Sequence, residues 1–401
     1  MKIEDNGKAQ VKVITGNAAA AFGAMLSRPE VVALYPITPQ SEVAEEMAKF
    51  HAEGLLDAEM VEVEGENSAM NIVCAAALAG GRVFTSTSSW GLAFMYDAVL
   101  QASGYRAPVV MANANREAPG IMAVSSGQSD LIMTRDAGWI SLICENCQEI
   151  LDTIIMAYRL AEDYEIQLPV MVNYDGFYLS YLAEKVEIPA REEVDAFLEP
   201  LKEQPERPRL RPGKSIAVGT HGILEGFVEL RYKHSSALER AKDKFDRIDR
   251  EFRGKFGRGY GGQIEVYRCE DADIIMVAAG SVAGTVKKIV DVKREQGVKV
   301  GLVRMKMFRP FPRERMTGAL KGCKAIGVVD RSVCLGWNCG PFFMELRALS
   351  QDFGLVPMMS FIHGLANVDI SPDDVGKMID MVDAASRGES YREVTWFSMD
   401  E

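Results

Sequence analysis

Four polar segments contain the side chains of this sequence that could carry chemistry, and each follows a short apolar run. They are residues 35–39, 85–91, 113–117 and 173–176. Together they provide hydroxyl groups, a fixed positive charge and small residues that let a ligand approach the backbone. Any one of them could be an ordinary polar loop. The four together predict a site for an anionic substrate and a cofactor.

Arg116 is the only arginine or lysine in these four segments. A planar guanidinium can hold a carboxylate through two parallel hydrogen bonds, so we expect it to bind the α-carboxylate of an organic acid. The alternative is a surface ion pair with Glu117 or Glu145, which the sequence alone does not distinguish from a substrate anchor.

Three carboxylates alternate along the segment VEVEGENSAM, just before the small-residue stretch AMNIVCAAALAGG. They belong to Glu62, Glu64 and Glu66. If a helix begins here, the acidic side chains lie favourably near its positive amino-terminal end. If one of them is buried instead, its pKa rises and it can donate or share a proton.

Regular elements must hold these segments in place, and the pattern from about residue 11 to 190 is typical of a parallel sheet with crossover helices. Strands are predicted at residues 31–35, 82–85, 108–112 and 168–172, and helices at 17–26 and 149–161. Ligands bind at the carboxyl ends of such strands, because the loops and the amino termini of the helices converge there. The four polar segments all follow strands of this kind.

The middle of the chain differs in composition from the regions on either side of it. From about residue 186 a segment rich in proline and charge predicts an extended connector, and residues 230–256 have the apolar spacing of a helix that packs or contacts another subunit. From about residue 270 the strand–helix alternation returns. The predicted units are therefore a domain at 1–190, a connector with its helix at 191–265, and a second domain at 266–401.

Gly280, Ser281 and Gly284 follow the first strand of the second domain and superficially resemble a phosphate-binding loop. A glycine that lets a strand turn tightly into a helix is the commoner explanation, and it is the one that we favour.

Composition narrows the class of protein. The 401 residues are 48% hydrophobic and 25% charged, which is typical of a folded chain of two or three domains. The net charge of −12 disfavours nucleic-acid or anionic-membrane partners, because phosphate binders normally present a basic face. The start of the chain lacks the features of a signal peptide, and no apolar run is long enough to span a membrane.

The chain has seven cysteines, an odd number that fits a reducing compartment, and we expect a cytoplasmic protein. Two close pairs, Cys144 with Cys147 and Cys334 with Cys339, are weak candidates for metal binding, since four ligands at regular spacing would be needed. No CxxCxxCxxxCP run is present to hold an iron–sulfur cluster. We therefore predict no metal site on this chain.

Several motifs, in their order and spacing, resemble the α subunit of pyruvate and related 2-oxoacid:ferredoxin oxidoreductases over nearly the whole chain. They are VVALYPITPQ, VEVEGENSAM, FTSTSSWGLAFM, VVMANANRE, QSDLIMTRDAGWI, LPVMVNYDGF, MFRPFPRERM and AIGVVDRS. The resemblance implies an α/β fold with mainly parallel sheets. It also implies a thiamine-diphosphate-binding domain of the pyrimidine type, followed by a domain like the carboxyl-terminal domain of transketolase.

The resemblance also implies roles for individual residues. Glu66 matches the family acid that contacts the aminopyrimidine of thiamine diphosphate and favours the imino tautomer that deprotonates the thiazolium. Thr38 and Arg116 match the residues that hold the substrate carboxylate. The remaining residues that we expect to line the cofactor cleft are Pro36, Thr87, Ser88 and Ser89.

The implied activity is oxidative decarboxylation of a 2-oxoacid to acyl-CoA and CO₂, with electrons passed to ferredoxin in anaerobic metabolism. The chain has no Gly-Asp-Gly segment followed by the expected Asn, so a β subunit should hold the diphosphate and Mg²⁺. Iron–sulfur clusters should lie on the iron–sulfur and γ subunits of the same hetero-oligomer. The alternatives are a non-catalytic scaffold subunit, or a dehydrogenase-type thiamine enzyme that uses a lipoyl carrier.

The substrate is less sharply predicted. Pyruvate is favoured on family grounds, but residues 118–128 form a small, apolar stretch where pyruvate-type members have an Asn- and Trp-containing one. Such a loop could widen the pocket for a branched or aromatic oxoacid such as phenylglyoxylate. Oxalate is disfavoured, because oxalate-oxidising relatives have an arginine at the position of Thr38.

Overall fold

The structure is a computed structural model, and it describes residues 9–118, 123–198, 210, 212–213, 224–397 and 399. Within these residues the strands form a seven-stranded sheet, a six-stranded sheet and a two-stranded ribbon. Helices cover both large sheets. No helix of the described residues is long and apolar enough to cross a membrane.

The first sheet has the strand order β12-β6-β7-β5-β4-β2-β3, and all its pairs are parallel except the one between β12 and β6. Its strands are β2 (Val31–Leu34), β3 (Glu59–Glu62), β4 (Val83–Thr87), β5 (Val110–Asn115), β6 (Ile140–Ile143), β7 (Val170–Asp175) and β12 (Met307–Arg309). β4, β5, β6 and β7 are buried along their whole lengths, and β4, β5 and β7 begin with apolar residues and end with polar ones. The predicted strands are therefore all present.

Helices lie on both faces of this sheet, and the ribbon of β1 (Gln10–Thr15) and β8 (Ala183–Ile188) flanks it. The helices are α1 (Gly16–Leu26), α2 (Ser41–Ala52), α3 (Glu66–Ala79), α4 (Ser89–Phe94), α5 (Tyr96–Gly104), α6 (Ser129–Met133), α7 (Cys147–Ala161) and α8 (Tyr178–Tyr181). Every residue of α1 is buried. α1 packs on α7 so closely that a Cβ at Gly23 would lie 2.7 Å from the carbonyl oxygen of Leu151.

The connector differs from its prediction. Residues 191–198, expected to be extended, form the helix α9 (Arg191–Leu198). Its buried residues are Val194, Phe197 and Leu198, and the ring of Phe197 meets that of Phe252 edge-on at 5.3 Å. Their spacing is itself helical, but the surrounding charge and proline hid it. The rest of the predicted extended segment falls largely outside the described residues.

The long helix predicted at 230–256 is present as α10 (Leu224–Phe256) and begins six residues earlier than expected. Its second half packs into the core of the first sheet through Phe245, Ile248 and Phe252. Residues 227–233 are exposed on every side of the helix. Half of this helix is therefore a packing element, and its beginning projects from the body.

The second sheet has the order β15-β14-β13-β10-β11-β9, and only the pair between β9 and β11 is antiparallel. Its strands are β9 (Ile264–Tyr267), β10 (Ile274–Ala278), β11 (Val300–Met305), β13 (Ala325–Asp330), β14 (Met358–Ile362) and β15 (Val394–Trp396). Its helices are α11 (Val282–Glu295), α12 (Arg313–Leu320), α13 (Pro341–Phe353) and α14 (Pro372–Ser386). The predicted second α/β unit thus has the expected architecture, while the residue bounds of the units stay a prediction.

Gly280 makes the tight turn from β10 into α11. It has φ +77°, and the backbone N–H of Ser281 donates to the carboxylate of Asp175 at 2.6 Å. The guanidinium of Arg331 lies 3.2 Å from the same carboxylate. This loop therefore binds an acidic side chain of the first domain, which supports the structural interpretation of its glycine.

A buried ion cluster joins the two sheets. Glu149 of α7 lies 2.8 Å from Arg304 of β11 and 2.5 Å from Lys306, and all three side chains are almost completely buried. Burial alone would raise the pKa of Glu149, but Arg304 and Lys306 outweigh it and lower that pKa to about 2.

Candidate functional site

The four polar segments come together at one edge of the first sheet. Strands β7, β5, β4 and β2 are neighbours in that order, and all are parallel. Their carboxyl ends therefore lie side by side, and the loops that follow them form one site. The predicted convergence of these segments is confirmed, and we call their meeting place the strand-end site.

Arg116 is buried in this site, and it binds the chain on two sides. Its Nη1 donates to the carbonyl oxygen of Thr38 at 2.8 Å, and its Nε donates to the carbonyl oxygen of Ala123 at 2.5 Å. Among the ion pairs of the described residues, none joins Arg116 to Glu117 or Glu145. The sequence left a surface pair open, but the guanidinium instead bridges the ends of two strands.

The side chain of Thr38 is exposed beside Arg116, and Pro36 is exposed on the same segment. Asn17 of α1 fixes this segment by donating to the carbonyl oxygen of Pro39 at 2.7 Å. Thr38 and Arg116, which were predicted to bind one carboxylate, are thus brought into direct contact. Their role in binding it remains a prediction.

Glu66 is the first residue of α3, and only 7% of it is exposed. Glu62 and Glu64 are both exposed, so the structure separates Glu66 from the other two acids. Of the three acids, Glu66 alone both begins a helix and is buried.

Gly91 of α4 lets Glu66 lie close to the end of β4. A Cβ at Gly91 would be 2.5 Å from Oε1 of Glu66 and 2.6 Å from Oγ1 of Thr87, which is closer than real Cβ contacts allow. The carboxylate and the hydroxyl therefore lie directly against the backbone of Gly91, where an added side chain would push one of them away. An added Cβ here would displace the Glu66 carboxylate or the Thr87 hydroxyl.

The three predicted hydroxyl residues at the end of β4 are all buried, but only one hydroxyl remains without a hydrogen-bond partner. Ser88 Oγ donates to the carbonyl oxygen of Ala114 at 2.7 Å, and Ser89 Oγ donates to that of Glu117 at 3.0 Å. Oγ1 of Thr87 makes no hydrogen bond in the structure. Contact between Ser88 or Ser89 and a cofactor stays a prediction, while the hydroxyl of Thr87 is available to one.

Other buried oxygen atoms of the same edge also have no hydrogen-bond partner. They belong to Asn113, Asn115, Glu117 and Ser126. Buried polar atoms are normally hydrogen-bonded, so a group of such atoms marks a place that binds water or a ligand. Glu66 and Thr87 beside the bare backbone of Gly91 fit a flat ring with hydrogen-bonding nitrogens, which is what an aminopyrimidine presents.

Two acidic residues that the sequence did not assign to catalysis or binding lie within the site. Burial raises the pKa of Asp130 to about 6, although several hydrogen bonds lower it in part. Burial also raises the pKa of Glu117 to about 7, offset in part by a hydrogen bond with Ser129. Asp130 lies in the motif QSDLIMTRDAGWI, so the family resemblance contained the signal, but a lone Asp at a helix start gave no reason to choose it.

Part of the loop expected to widen the pocket, residues 119–122, lies outside the described residues. Of the remainder, Ser125, Ser126 and Gln128 are buried and Val124 is exposed. The structure therefore leaves the size of the substrate that this loop admits as a prediction.

The cysteine pairs do not assemble a ligand set. Cys144 and Cys147 are buried, and their thiols point at different backbone carbonyls. Cys334 and Cys339 face each other across an isolated antiparallel bridge and are free thiols. In the part of the chain that the structure describes, no three His, Cys, Asp or Glu side chains are arranged to hold a metal ion.

Comparison with known families agrees with this geometry. The family described as pyruvate flavodoxin/ferredoxin oxidoreductase, thiamine diphosphate-binding, matches residues 22–250, and the pyruvate:ferredoxin oxidoreductase core domain II matches residues 272–375. The chain belongs to this oxidoreductase family. The predicted family, enzyme class and thiamine-diphosphate-binding domain are thereby confirmed.

Three relatives show how far the likeness extends. Pyruvate synthase subunit PorA of Methanothermobacter thermautotrophicus is 40% identical over 98% of this chain and 99% of its own length. The α subunit of NADH-dependent phenylglyoxylate dehydrogenase of Aromatoleum evansii is 39% identical, covering 95% and 93% respectively. Ketoisovalerate oxidoreductase subunit VorA of Pyrococcus horikoshii is 38% identical, covering 97% and 98%.

Solved structures share the fold. The 2-oxoglutarate:ferredoxin oxidoreductase of Magnetococcus marinus superposes with a TM-score of 0.72 at 20% identity, over 93% of this chain and 65% of that one. A split-gene transketolase superposes with a TM-score of 0.54 at 12% identity, over 92% and 99%. The predicted fold class, a thiamine-diphosphate-binding domain followed by a transketolase-like one, is confirmed.

Proposed function

We propose that this chain is the α subunit of a cytoplasmic 2-oxoacid:ferredoxin oxidoreductase and forms the aminopyrimidine side of its thiamine diphosphate site. The observation that carries the proposal is the buried Glu66 beside the unpaired hydroxyl of Thr87, both against the backbone of Gly91, which has no side chain between them. When bound, thiamine diphosphate supplies the carbanion that adds to a 2-oxo carbon and allows CO₂ to leave. The residues of this chain would bind the cofactor and the substrate and orient them toward each other.

Glu66 would hold a proton at a ring nitrogen of the aminopyrimidine. A carboxyl group that is buried and begins a helix can share a proton with such a nitrogen without competition from water. Thr87 would accept or donate a hydrogen bond beside it, and Pro36, Ser88 and Ser89 would shape the same cleft.

Arg116 and Thr38 would hold the carboxylate of the 2-oxoacid. Thr38 follows β2, the neighbour of the strand that precedes Glu66, and Arg116 follows β5 and donates to the carbonyl oxygen of Thr38. A fixed guanidinium beside an exposed hydroxyl can orient a carboxylate so that its 2-oxo carbon faces the cofactor.

Partner subunits would complete the site. The sequence contains no Gly-Asp-Gly segment to hold the diphosphate and Mg²⁺, so a β subunit should supply both, and iron–sulfur and γ subunits should carry electrons to ferredoxin. Trp90 is 48% exposed and Phe94 is 63% exposed, on the helix that adjoins Glu66. Two large aromatic side chains at the mouth of a site suit a surface that another subunit covers. The proposed bounds of the chain's own units remain 1–190, 191–265 and 266–401.

Among substrates, pyruvate remains first, with acetyl-CoA and CO₂ as products, since pyruvate synthase subunits are among the relatives that this chain resembles over nearly its whole length. The likeness to a phenylglyoxylate dehydrogenase subunit supports an aromatic oxoacid as the second candidate.

Turnover by the purified complex tests the proposal. It should oxidise pyruvate or phenylglyoxylate in the presence of coenzyme A, releasing CO₂ and reducing ferredoxin without any lipoyl carrier. The isolated chain should bind thiamine diphosphate weakly in calorimetry with Mg²⁺, and the complex should bind it tightly. Failure to oxidise any 2-oxoacid, a requirement for a lipoyl carrier, or tight binding by the chain alone would contradict the proposal.

A further inference from the structure

Asp130 joins the two halves of the strand-end site. Its Oδ2 accepts hydrogen bonds from the backbone N–H groups of Ser89 and Arg116, both at 3.0 Å. Its Oδ1 accepts one from Nδ2 of Asn115 at 3.0 Å and one from the N–H of Leu131 at 2.7 Å. The residue has no exposed surface. One buried carboxylate therefore ties the end of β4 to the end of β5.

Ser89 shows that this tie enforces a backbone that would otherwise be unfavourable. It has φ +45°, in the left-handed region that residues with a side chain seldom adopt. Such a conformation persists only where its surroundings fix it, and it is common at functional sites. The contacts that fix it are the bond from its N–H to Asp130 and the bond from its hydroxyl to Glu117.

Ser89 and Arg116, which Asp130 holds, are linked to the two groups with proposed roles: the acid Glu66 and the substrate anchor. Ser89 begins α4, which places Gly91 against the carboxylate of Glu66. Arg116, whose own N–H is held by Asp130, places its guanidinium against the carbonyl oxygen of Thr38. The position of Asp130 therefore affects both the acid and the substrate anchor.

We propose that Asp130 is a positioning residue, which fixes Arg116 relative to Glu66 so that a substrate carboxylate and a cofactor ring are held by one rigid frame. This inference rests on the proposed function and deepens it. The ion pairs of the described residues include none to Asp130, so its charge is balanced by the N–H and amide donors that it holds. A carboxylate is the only side chain of this length that accepts on both oxygens.

Asp130→Asn tests this, because the amide keeps the size of the side chain and replaces one oxygen by an NH₂ group. Each oxygen of Asp130 accepts two hydrogen bonds. Whichever oxygen becomes the NH₂ group, it faces two N–H donors, so both of those hydrogen bonds are lost. In the assembled complex we expect kcat/KM for the oxidised 2-oxoacid to fall by about 10²-fold, with a large part in KM, because a misplacement near 1 Å has that effect. Asp136→Asn is the matched control, since Asp136 is an exposed acid of the same segment.

The division between KM and kcat separates positioning from simple loss of folded protein. A partly unfolded preparation has fewer active sites and an unchanged KM, whereas a misplaced Arg116 raises KM. If the assembled Asp130→Asn complex has the wild-type KM and kcat, the proposal is overturned.

A second readout is the pH profile of KM. The charged groups that face Asp130 are Arg116 and Glu117, and burial raises the pKa of Asp130 to about 6 and of Glu117 to about 7. Protonated Asp130 loses acceptor capacity, so the wild-type KM should rise as the pH falls through about 6. Asp130→Asn should abolish that change, and Glu117→Gln should keep it. A rise in KM near pH 6 that persists in Asp130→Asn would overturn the proposal.

Loss of assembly has its own test. In the double variant with Ser89→Gly, glycine adopts the left-handed backbone without strain, so assembly should return while KM stays high, because Arg116 is still released. A double variant with wild-type KM would overturn the proposal, as would one that still fails to assemble, since Asp130 would then be a packing residue. If the wild-type complex oxidises no 2-oxoacid, it is the proposed function that fails.

Discussion

At the scale of single residues, burial rather than charge distinguishes the acids of the VEVEGENSAM segment. Glu62 and Glu64 stand in water, while Glu66 lies at a helix start inside the strand-end site. Only an acid held away from bulk water can share a proton with a cofactor nitrogen efficiently. The assignment of Glu66 therefore predicts that its replacement lowers activity, whereas replacement of the chemically identical Glu62 does not.

Glu66→Gln should lower turnover by a factor on the order of 10²–10⁴, because the amide keeps the size of the side chain but cannot exchange the proton. Folding and assembly should be unaffected. The decisive measurement is proton–deuterium exchange at the thiazolium carbon in the assembled complex, which precedes electron transfer. Glu62→Gln serves as the control and should exchange at the wild-type rate; a wild-type rate in Glu66→Gln would falsify the assignment.

Arg116→Lys should impair the use of substrate more than cofactor binding. The guanidinium bonds to the carbonyls of Thr38 and Ala123, and a lysine ammonium cannot reproduce this fork and also grip a carboxylate. Loss of roughly 1.5–3 kcal/mol of charge-assisted bonding should raise KM for the oxoacid on the order of 10- to 10²-fold. Steady-state kinetics with titrated thiamine diphosphate separate the two effects. Unaltered oxoacid kinetics in an intact complex would remove Arg116 as the anchor.

At the scale of elements, the short helix α4 sets the distance between Glu66 and Thr87. Gly91→Ala would introduce a Cβ at 2.5 Å from the carboxylate and 2.6 Å from the hydroxyl, so one of them must move. We expect a loss of kcat/KM of about 10²-fold, as for other displacements near 1 Å, with little change in assembly. The same measurement on Gly104→Ala is the control, because no atom lies within 4 Å of its Cβ position. Equal activity of the two variants would show that α4 does not constrain Glu66.

The helices also show where the spacing of apolar residues was sufficient to predict an element and its bounds. Helices α1 and α7 begin and end within two residues of their predicted bounds, because each has a long apolar pattern and a capping side chain, Thr15 and Asn146 respectively. α9 was missed, since its apolar triplet is short and lies among acidic residues and prolines. Apolar spacing indicates a helix reliably only when the segment is long.

At the scale of the whole molecule, the buried cluster of Glu149, Arg304 and Lys306 links the two sheets. Glu149→Gln should destabilise the chain by about 3–5 kcal/mol, because it leaves the buried Lys306 without its carboxylate partner, whereas Arg304 keeps its ion pairs with Glu145 and Glu265. Urea-induced unfolding of the purified chain, followed by tryptophan fluorescence, measures this. Asp380→Asn, which breaks the exposed pair with Lys293, should cost no more than about 1 kcal/mol. A similar effect of both variants would show that the cluster does not hold the sheets together.

The same cluster predicts sensitivity to acid. The pKa of Glu149 is lowered from 4.5 to about 2, so the folded state favours its ionised form. Its contribution to stability is fully present above pH 4.5 and is lost as the pH falls toward 2. Between these values the wild-type chain should lose stability more steeply than Glu149→Gln in the same unfolding experiment. Parallel curves would contradict the assigned charge state.

The sequence by itself determined the fold class, the family and the segments that form the site. Parallel strands followed by polar turns have only one edge at which those turns can meet, so the convergence of Thr38, Glu66 and Arg116 was predictable from pattern and resemblance. These inferences are local, because each depends on residues that are close in the chain.

Tertiary structure decided which side chains of the site are held and which are available. Ser88 and Ser89 carry the same hydroxyl group as Thr87, yet their hydroxyls bind carbonyls of Ala114 and Glu117, far along the chain. Asp130 lies in a family motif, but its place in the site depends on donors at two strand ends, Ser89 after β4 and Asn115 and Arg116 at the end of β5. Periodicity and composition describe neighbours in sequence, whereas burial and hydrogen bonding between distant residues arise only when the chain folds.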